Sequence, residues 1–152
     1  ANWEFLGELR EKWKGNLIVK GVMDPEDAKR IQNAGVDAIW VSNHGGRQLD
    51  GSPPALLALP KIRESVGPNL PIIFDSGVRS GEDIVKALAL GANFVMLGRP
   101  IMMALAASSE KGLKDYISML EEEIKVVMAQ LGLKDLSKIS GDVLYGDIPT
   151  KM

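Results

Sequence analysis

Apolar positions along the chain follow two alternating rhythms, one of helical spacing and one of short unbroken runs. Residues 3–13 place Trp3, Phe5, Leu6, Leu9 and Trp13 mostly at helical spacing among charges, which predicts a short amphipathic helix stopped by Gly15 and Asn16. Leu17, Ile18 and Val19 then open a buried strand that continues to Val22. Asp24, Pro25, Glu26 and Asp27 supply an N-cap, a proline at the first helical position and an acidic first turn. That helix runs to about Ala34, with Gly35 as its stop. Residues 38–41 and 71–75 read as further strands, and residues 55–66 as a helix between them. Ser80 and Asp83 stand at capping-box spacing before a helix to Leu90, and residues 93–97 form a fourth apolar run. After Pro100 the pattern is helical: Leu113, Tyr116, Ile117, Leu120, Ile124, Val127, Met128 and Leu131 fall on one stripe, with Glu121, Glu122 and Glu123 off it. Gly132 ends that helix, and residues 134–152 read as a short helix and a tail.

The pattern also repeats. Gly21, Val22, Glu26, Asp27 and Gly35 each have an identical counterpart 56 residues later, at Gly77, Val78, Glu82, Asp83 and Gly91. A repeat that contains strand, helix, strand and helix is what two successive βα units of a (β/α)8 barrel require. Buried parallel strands read as continuous apolar runs, as these four do. The predicted fold class is therefore α/β, the whole chain forming half of a TIM barrel. Its parts are a leading helix over residues 1–15, four strands with their helices over 17–111, and a final helix with tail over 112–152. Half a barrel leaves two sheet edges unpaired and one face of its core open, so a missing N-terminal half or a second copy of the chain is expected to cover them.

Composition narrows the class without naming a chemistry. The 152 residues carry a net charge of -2, which gives no footprint for nucleic acid or an anionic membrane. The absence of cysteine excludes disulfides and thiolate metal sites. The most apolar region, 87–107, is interrupted by Asn93, Arg99 and Pro100 and does not read as a spanning helix. A cytoplasmic domain is the expectation, with membrane association left open.

Candidate chemistry collects at the strand ends, where barrels of this kind place it. The second strand delivers the only histidine, His44, and Arg47 follows across two glycines. An imidazole beside a fixed guanidinium suits proton abstraction from a carboxylate-bearing substrate; a turn-capping histidine beside a solvated arginine is the plainer alternative. Lys20 interrupts the first apolar run, either for a reason of chemistry or as a strand-end lysine reaching water. Asp75, Ser76, Gly77, Val78 and Arg79 end the third strand, and Gly98, Arg99 and Pro100 end the fourth. Two glycine–arginine turns after the last two strands make a phosphate cradle of backbone N–H donors and forked cations. Asp75 is an odd neighbour for phosphate and suits a sugar or ribityl hydroxyl better.

These motifs resemble the C-terminal half of the FMN-dependent 2-hydroxy-acid oxidoreductases, the family of glycolate oxidase, L-lactate dehydrogenase and mandelate dehydrogenase. The run from Ser42 to Asp50 matches the family's active-site signature, and the segments around Lys20, Asp75–Arg79 and Leu97–Pro100 follow in family order. The resemblance implies FMN as cofactor and a small 2-hydroxy carboxylate as substrate. It implies Lys20 beside the flavin N1/O2 edge, His44 as the base taking either the α-hydrogen or the hydroxyl proton, and Arg47 on the substrate carboxylate. Ser42 would contact the flavin and Asp75 its ribityl chain. Ser76, Gly77, Val78, Arg79, Gly98 and Arg99 would complete the cofactor site around the phosphate. The family's N-terminal half is not in this sequence, and the full enzyme is expected to be a homo-oligomer. A flavin-dependent isomerase of the isopentenyl diphosphate type and a non-catalytic half-barrel that retains anion binding are the alternatives; a carboxylate-reading His44–Arg47 pair argues against the isomerase.

Overall fold

The computed structural model describes residues 2–146. Its elements alternate: α1 (Trp3–Lys12), β1 (Ile18–Val22), α2 (Pro25–Asn33), β2 (Ala38–Val41), a 3-10 turn (His44–Gly46), α3 (Ala55–Val66), β3 (Ile72–Phe74), α4 (Gly81–Ala89), β4 (Phe94–Val95) and α5 (Arg99–Gln130). Two further 3-10 turns, Leu136–Lys138 and Gly141–Val143, replace the short helix expected near the C-terminus. The part of that expectation falling on residues 147–152 lies outside the described residues.

The four strands form one parallel sheet in sequence order, β1-β2-β3-β4. Because side chains alternate across a sheet, its register sorts the residues into two faces. Ile39, Val41, Ile72 and Phe74 point to one face and are almost fully buried, packed with Ala28, Ile31, Leu59 and Ile62 of α2 and α3. Lys20, Trp40, Ile73 and Phe94 are successive register partners on the other face, and none of them is buried. The expectation of four buried strands therefore holds only for the inner two: Ile18 on β1 is 46% exposed and Phe94 on β4 is 61% exposed. The outer runs are apolar but lie at the sheet edges, where no further strand among the described residues pairs with them. The strands are also shorter than their apolar runs, 72–74 within 71–75 and 94–95 within 93–97, since pairing stops where the backbone turns toward the loops.

Helix ends follow the sequence signals closely. Asp24 caps α2 by accepting from the N–H groups of Glu26 and Asp27. Ser80 caps α4 by accepting from the Asp83 N–H, but Asp83 returns its bond to the Arg79 N–H, one residue before the cap. Glu123 of α5 accepts the Gly81 N–H at 2.6 Å, so a carboxylate from a distant element completes the α4 N-terminus. The stripe on α5 is the side laid against α4: Leu120 is buried and Ile124 partly so, although Ile117 and Leu131 remain exposed.

Two arginines tie the layers together. Arg10 of α1 pairs with Asp37 at 2.9 Å, and Asp37 also accepts the Leu17 N–H at 2.7 Å. That backbone bond, with help from Arg10 and against partial desolvation, holds the Asp37 carboxyl below its ordinary pKa. Arg63 of α3 donates to the carbonyls of Gly91, Gly67 and Leu70 and to Asn93 Oδ1, at 2.6–2.9 Å. Burial lowers the Arg63 pKa.

The final helix follows the helical pattern read after Pro100, with a break the pattern did not show. Helix α5 starts directly at Arg99 and breaks at Ser108 (φ -156°) and Ser109 (φ 47°). The two arms pack so closely that a Cβ on Gly112 would collide with the Ala104 carbonyl oxygen.

Candidate active site

All four strands end on one rim, and the side chains singled out by the sequence meet there. An open groove of about 570 Å³ is lined by Lys20, His44, Arg47, Asp75, Arg79 and Arg99, with Ser76, Gly77, Val78 and Gly98 among its other walls. Ser42 is fully buried beneath it. The groove also takes in Gln48, Met96, Pro100, Met102 and Met103, which the sequence reading did not single out.

The turn that carries His44 is built by its own sequence. Asn43 caps it by accepting from the N–H groups of Gly45 and Gly46, while its amide donates to the Pro53 carbonyl. An asparagine ahead of two glycines is a known turn signal, so Asn43 was within reach of sequence reasoning. His44, Gly45 and Gly46 all have positive φ (56°, 70° and 74°), which suits the glycines and strains the histidine. The imidazole rests over the backbone of Gly21, where a Cβ would come within 2.8 Å of His44 Nε2. Gly21, whose φ is 91°, is there because no side chain fits between strand and ring.

A closed circuit of polar contacts joins the first three strand ends. Lys20 Nζ donates to Ser42 Oγ at 3.0 Å, and Ser42 Oγ also accepts the His44 N–H at 3.1 Å. The next N–H, of Gly45, donates to Ser76 Oγ at 3.1 Å, and the Ser76 hydroxyl donates to Asp75 Oδ1 at 2.9 Å. Asp75 Oδ2 closes the circuit 3.6 Å from Lys20 Nζ. The ammonium also sits 4.9 Å from the Trp40 ring centroid, a cation–π contact on the open face. Lys20 is thus engaged by a hydroxyl, a carboxylate and an indole, and is not a lysine merely reaching water.

The fourth strand end joins through Arg99, whose Nη2 donates to the Gly45 carbonyl at 3.0 Å. Among the described residues no side chain caps the N-terminus of α5 at Gly98, and the positive end of that helix faces the groove beside Arg99. The N-terminus of α4 is different, because Ser80, Asp83 and Glu123 already occupy its donors. Arg79 is held through its backbone, its carbonyl accepting from the Tyr116 hydroxyl at 2.8 Å. Burial, with Glu123 and Asp83 nearby, raises the Tyr116 pKa and keeps that donor protonated. The Val78 side chain belongs to the buried core, which leaves only its backbone for the groove. Arg47 follows the 3-10 turn as its C-cap, exposed on the groove wall beside Gln48.

Chemically, the rim offers one imidazole, an ammonium tied to a carboxylate, a forked cation near the imidazole, and two more guanidiniums flanked by glycine turns. Comparison with known proteins agrees on their lineage. The family model described as FMN-dependent dehydrogenase matches residues 1–146. An L-lactate dehydrogenase of Caulobacter vibrioides is 46% identical over 147 residues, covering 97% of this chain and 38% of its own length. One from Pectobacterium atrosepticum is 48% identical over 143 residues, 94% of this chain and 37% of its own. Among solved structures, a monotopic membrane protein, (S)-mandelate dehydrogenase, matches with a TM-score of 0.92 and 42% identity over 97% of this chain and 39% of its own. A mandelate oxidase solved with 3,3-difluoro-2-hydroxy-3-phenylpropionic acid gives 0.85 and 40% over 90% of this chain and 41% of its own. The chain spans less than two fifths of the length of these curated relatives. Over the part it does span, it belongs to the family of FMN-dependent dehydrogenases.

Proposed function

We propose that this chain is the C-terminal half, four βα units, of an FMN-binding (β/α)8 barrel. The assembled protein oxidises an L-2-hydroxy carboxylate to its 2-oxo acid. The half-barrel reading is supported by the sequential order of the parallel strands and by the open face of Lys20, Trp40, Ile73 and Phe94. The names of the relatives, lactate and mandelate dehydrogenases, support the substrate class.

The donor set of the groove fits FMN. Arg79 and Arg99 with Gly77 and Gly98 suit its phosphate, the Asp75 carboxylate suits ribityl hydroxyls, and Lys20 suits the polar edge of the ring. Bound there, the flavin supplies the acceptor for two electrons. The side chains of this chain do the rest. Arg47 grips the substrate carboxylate through paired hydrogen bonds and so sets the α-carbon near His44. His44 receives one of the two protons the substrate gives up. Lys20, anchored by Ser42 and Asp75, presents a fixed positive charge where negative charge develops. The reading places the enzyme in the cytoplasm. No helix among the described residues is long and apolar enough to cross a membrane, and one relative is a monotopic membrane protein.

The observation that carries the proposal is the convergence of His44, Arg47, Lys20, Asp75, Arg79 and Arg99 on a single groove. Its test is flavin reduction without oxygen. The chain, combined with its N-terminal complement and FMN, is expected to bleach the flavin absorption with at least one of L-lactate, glycolate and L-mandelate. A bound flavin that none of them reduces would refute the activity. His44→Ala is expected to keep FMN bound while slowing reduction by about 10²–10⁴-fold. Arg47→Lys is expected to weaken substrate capture, read as a higher KM, because the fork is lost while the charge remains.

A further inference from the structure

We propose that Ser76 is a positioning residue for His44, acting through the peptide of Gly45; the inference rests on the reading of His44 as the base. Gly45 follows His44 directly, and both polar groups of its backbone are held by other strand ends. Its N–H donates to Ser76 Oγ at the end of β3, and its C=O accepts from Arg99 at the end of β4. The Gly45 N–H is shared with Asn43 Oδ1, also at 3.1 Å, but Asn43 belongs to the same turn. Asn43 can shape that turn without fixing it relative to the groove. Ser76 and Arg99 supply the fixing, because they come from strands that do not carry the imidazole.

A serine hydroxyl suits this task. Its one proton goes to Asp75 Oδ1 at 2.9 Å, which turns a lone pair toward the Gly45 N–H. Asp75 is itself within 3.6 Å of the Lys20 ammonium, so the acceptor is anchored from β1 as well. The backbone makes the same point. Ser76 has a φ of 83°, a conformation that favours glycine. Glycine would make this turn without steric cost and without a hydroxyl; a strained serine is accounted for if the hydroxyl is used.

The test compares Ser76→Gly and Ser76→Ala with the parent by NMR, in the protein assembled with its N-terminal complement and with this chain alone isotope-labelled. His44 is the only histidine, so its Cε1–H signal is a single peak. In both variants the exchange protection of the Gly45 amide is expected to fall roughly three- to tenfold, the equivalent of one net hydrogen bond. The His44 peak is expected to shift or split, while protection of the core amide of Ile39 stays unchanged. In the assembled protein, at saturating FMN, both variants are expected to lower kcat for the hydroxy acid with little change in its KM. Gly45 protection and a His44 peak identical to the parent's in both variants would overturn the proposal, as would changes confined to Ser76→Ala, which would report backbone strain alone. A parent assembly that never reduces flavin would remove the role of the base but leave the spectra to decide the clamp, so the two failures are distinguishable.

Discussion

The backbone of Gly21 lies directly against the His44 ring. A methyl group there would press on His44 Nε2 and would also be strained by the local φ of 91°. Gly21→Ala is expected to displace the imidazole and to cost about 1–3 kcal/mol of stability. The histidine NMR signal and a denaturant midpoint check this together, and an unmoved peak at unchanged stability would contradict it. The residues that meet in the groove were legible from the sequence, because a lone histidine, a lysine inside an apolar run and two glycine–arginine turns all stood at strand ends. The bonds that organise them were not. Ser76 reaches Gly45 across 31 positions and Arg99 reaches it across 54, and contacts between a side chain and a distant backbone leave no periodic trace. Trp40 was read only as part of an apolar run, yet its ring lies under the Lys20 ammonium.

Elements are held by a few polar staples whose loss should be measurable. Arg63→Ala would remove this donor from three carbonyls and leave Asn93 Oδ1 with the Ile72 N–H, and is expected to destabilise by about 2–4 kcal/mol in chemical denaturation. Gly81→Ala would bring a Cβ within 2.6 Å of the Ile124 amide nitrogen and the Glu123 Cβ. Neither can give way without moving α5, so a loss of about 1–3 kcal/mol is expected. The Asp37 tether makes a pH-dependent contribution. Its carboxyl is held below the ordinary pKa, so the stabilisation is complete above the ordinary value and is lost as the pH falls through the lowered one. The stability difference between the parent and Asp37→Asn should therefore be largest near neutral pH and shrink in acid; a gap that widens in acid would reverse the sign. Helix caps were legible because Asp24 and Ser80 act within their own turns. The third ligand of the α4 terminus, Glu123, was not, because it read as one of three charged residues off an apolar stripe.

At the scale of the whole molecule, the 56-residue repeat and the four apolar runs were enough to predict parallel βα units, and the sheet has that order. They could not separate inner strands from outer ones, because all four runs are apolar and burial depends on what lies beyond the edge. The exposed Ile18 and Phe94 make the isolated chain a candidate for self-association. It is expected to bind a hydrophobic dye and to form larger species as concentration rises in sedimentation, and Phe94→Lys is expected to reduce both. Equal behaviour of the two proteins would remove the open face as the cause.

The corner at Ser108 and Ser109 assigns two duties to one helix. Its first arm begins at Arg99, which reaches the loop carrying the imidazole, and its second arm ends the neighbouring helix through Glu123. Gly112, pressed against Ala104, sets the angle between the arms, so a bulkier side chain at that pivot should be felt far from where it sits. Changes in the outer layer thus have a mechanical lever on the His44 turn, and distant substitutions along this hairpin become a natural place to look for variants that move the imidazole while leaving the groove lining intact.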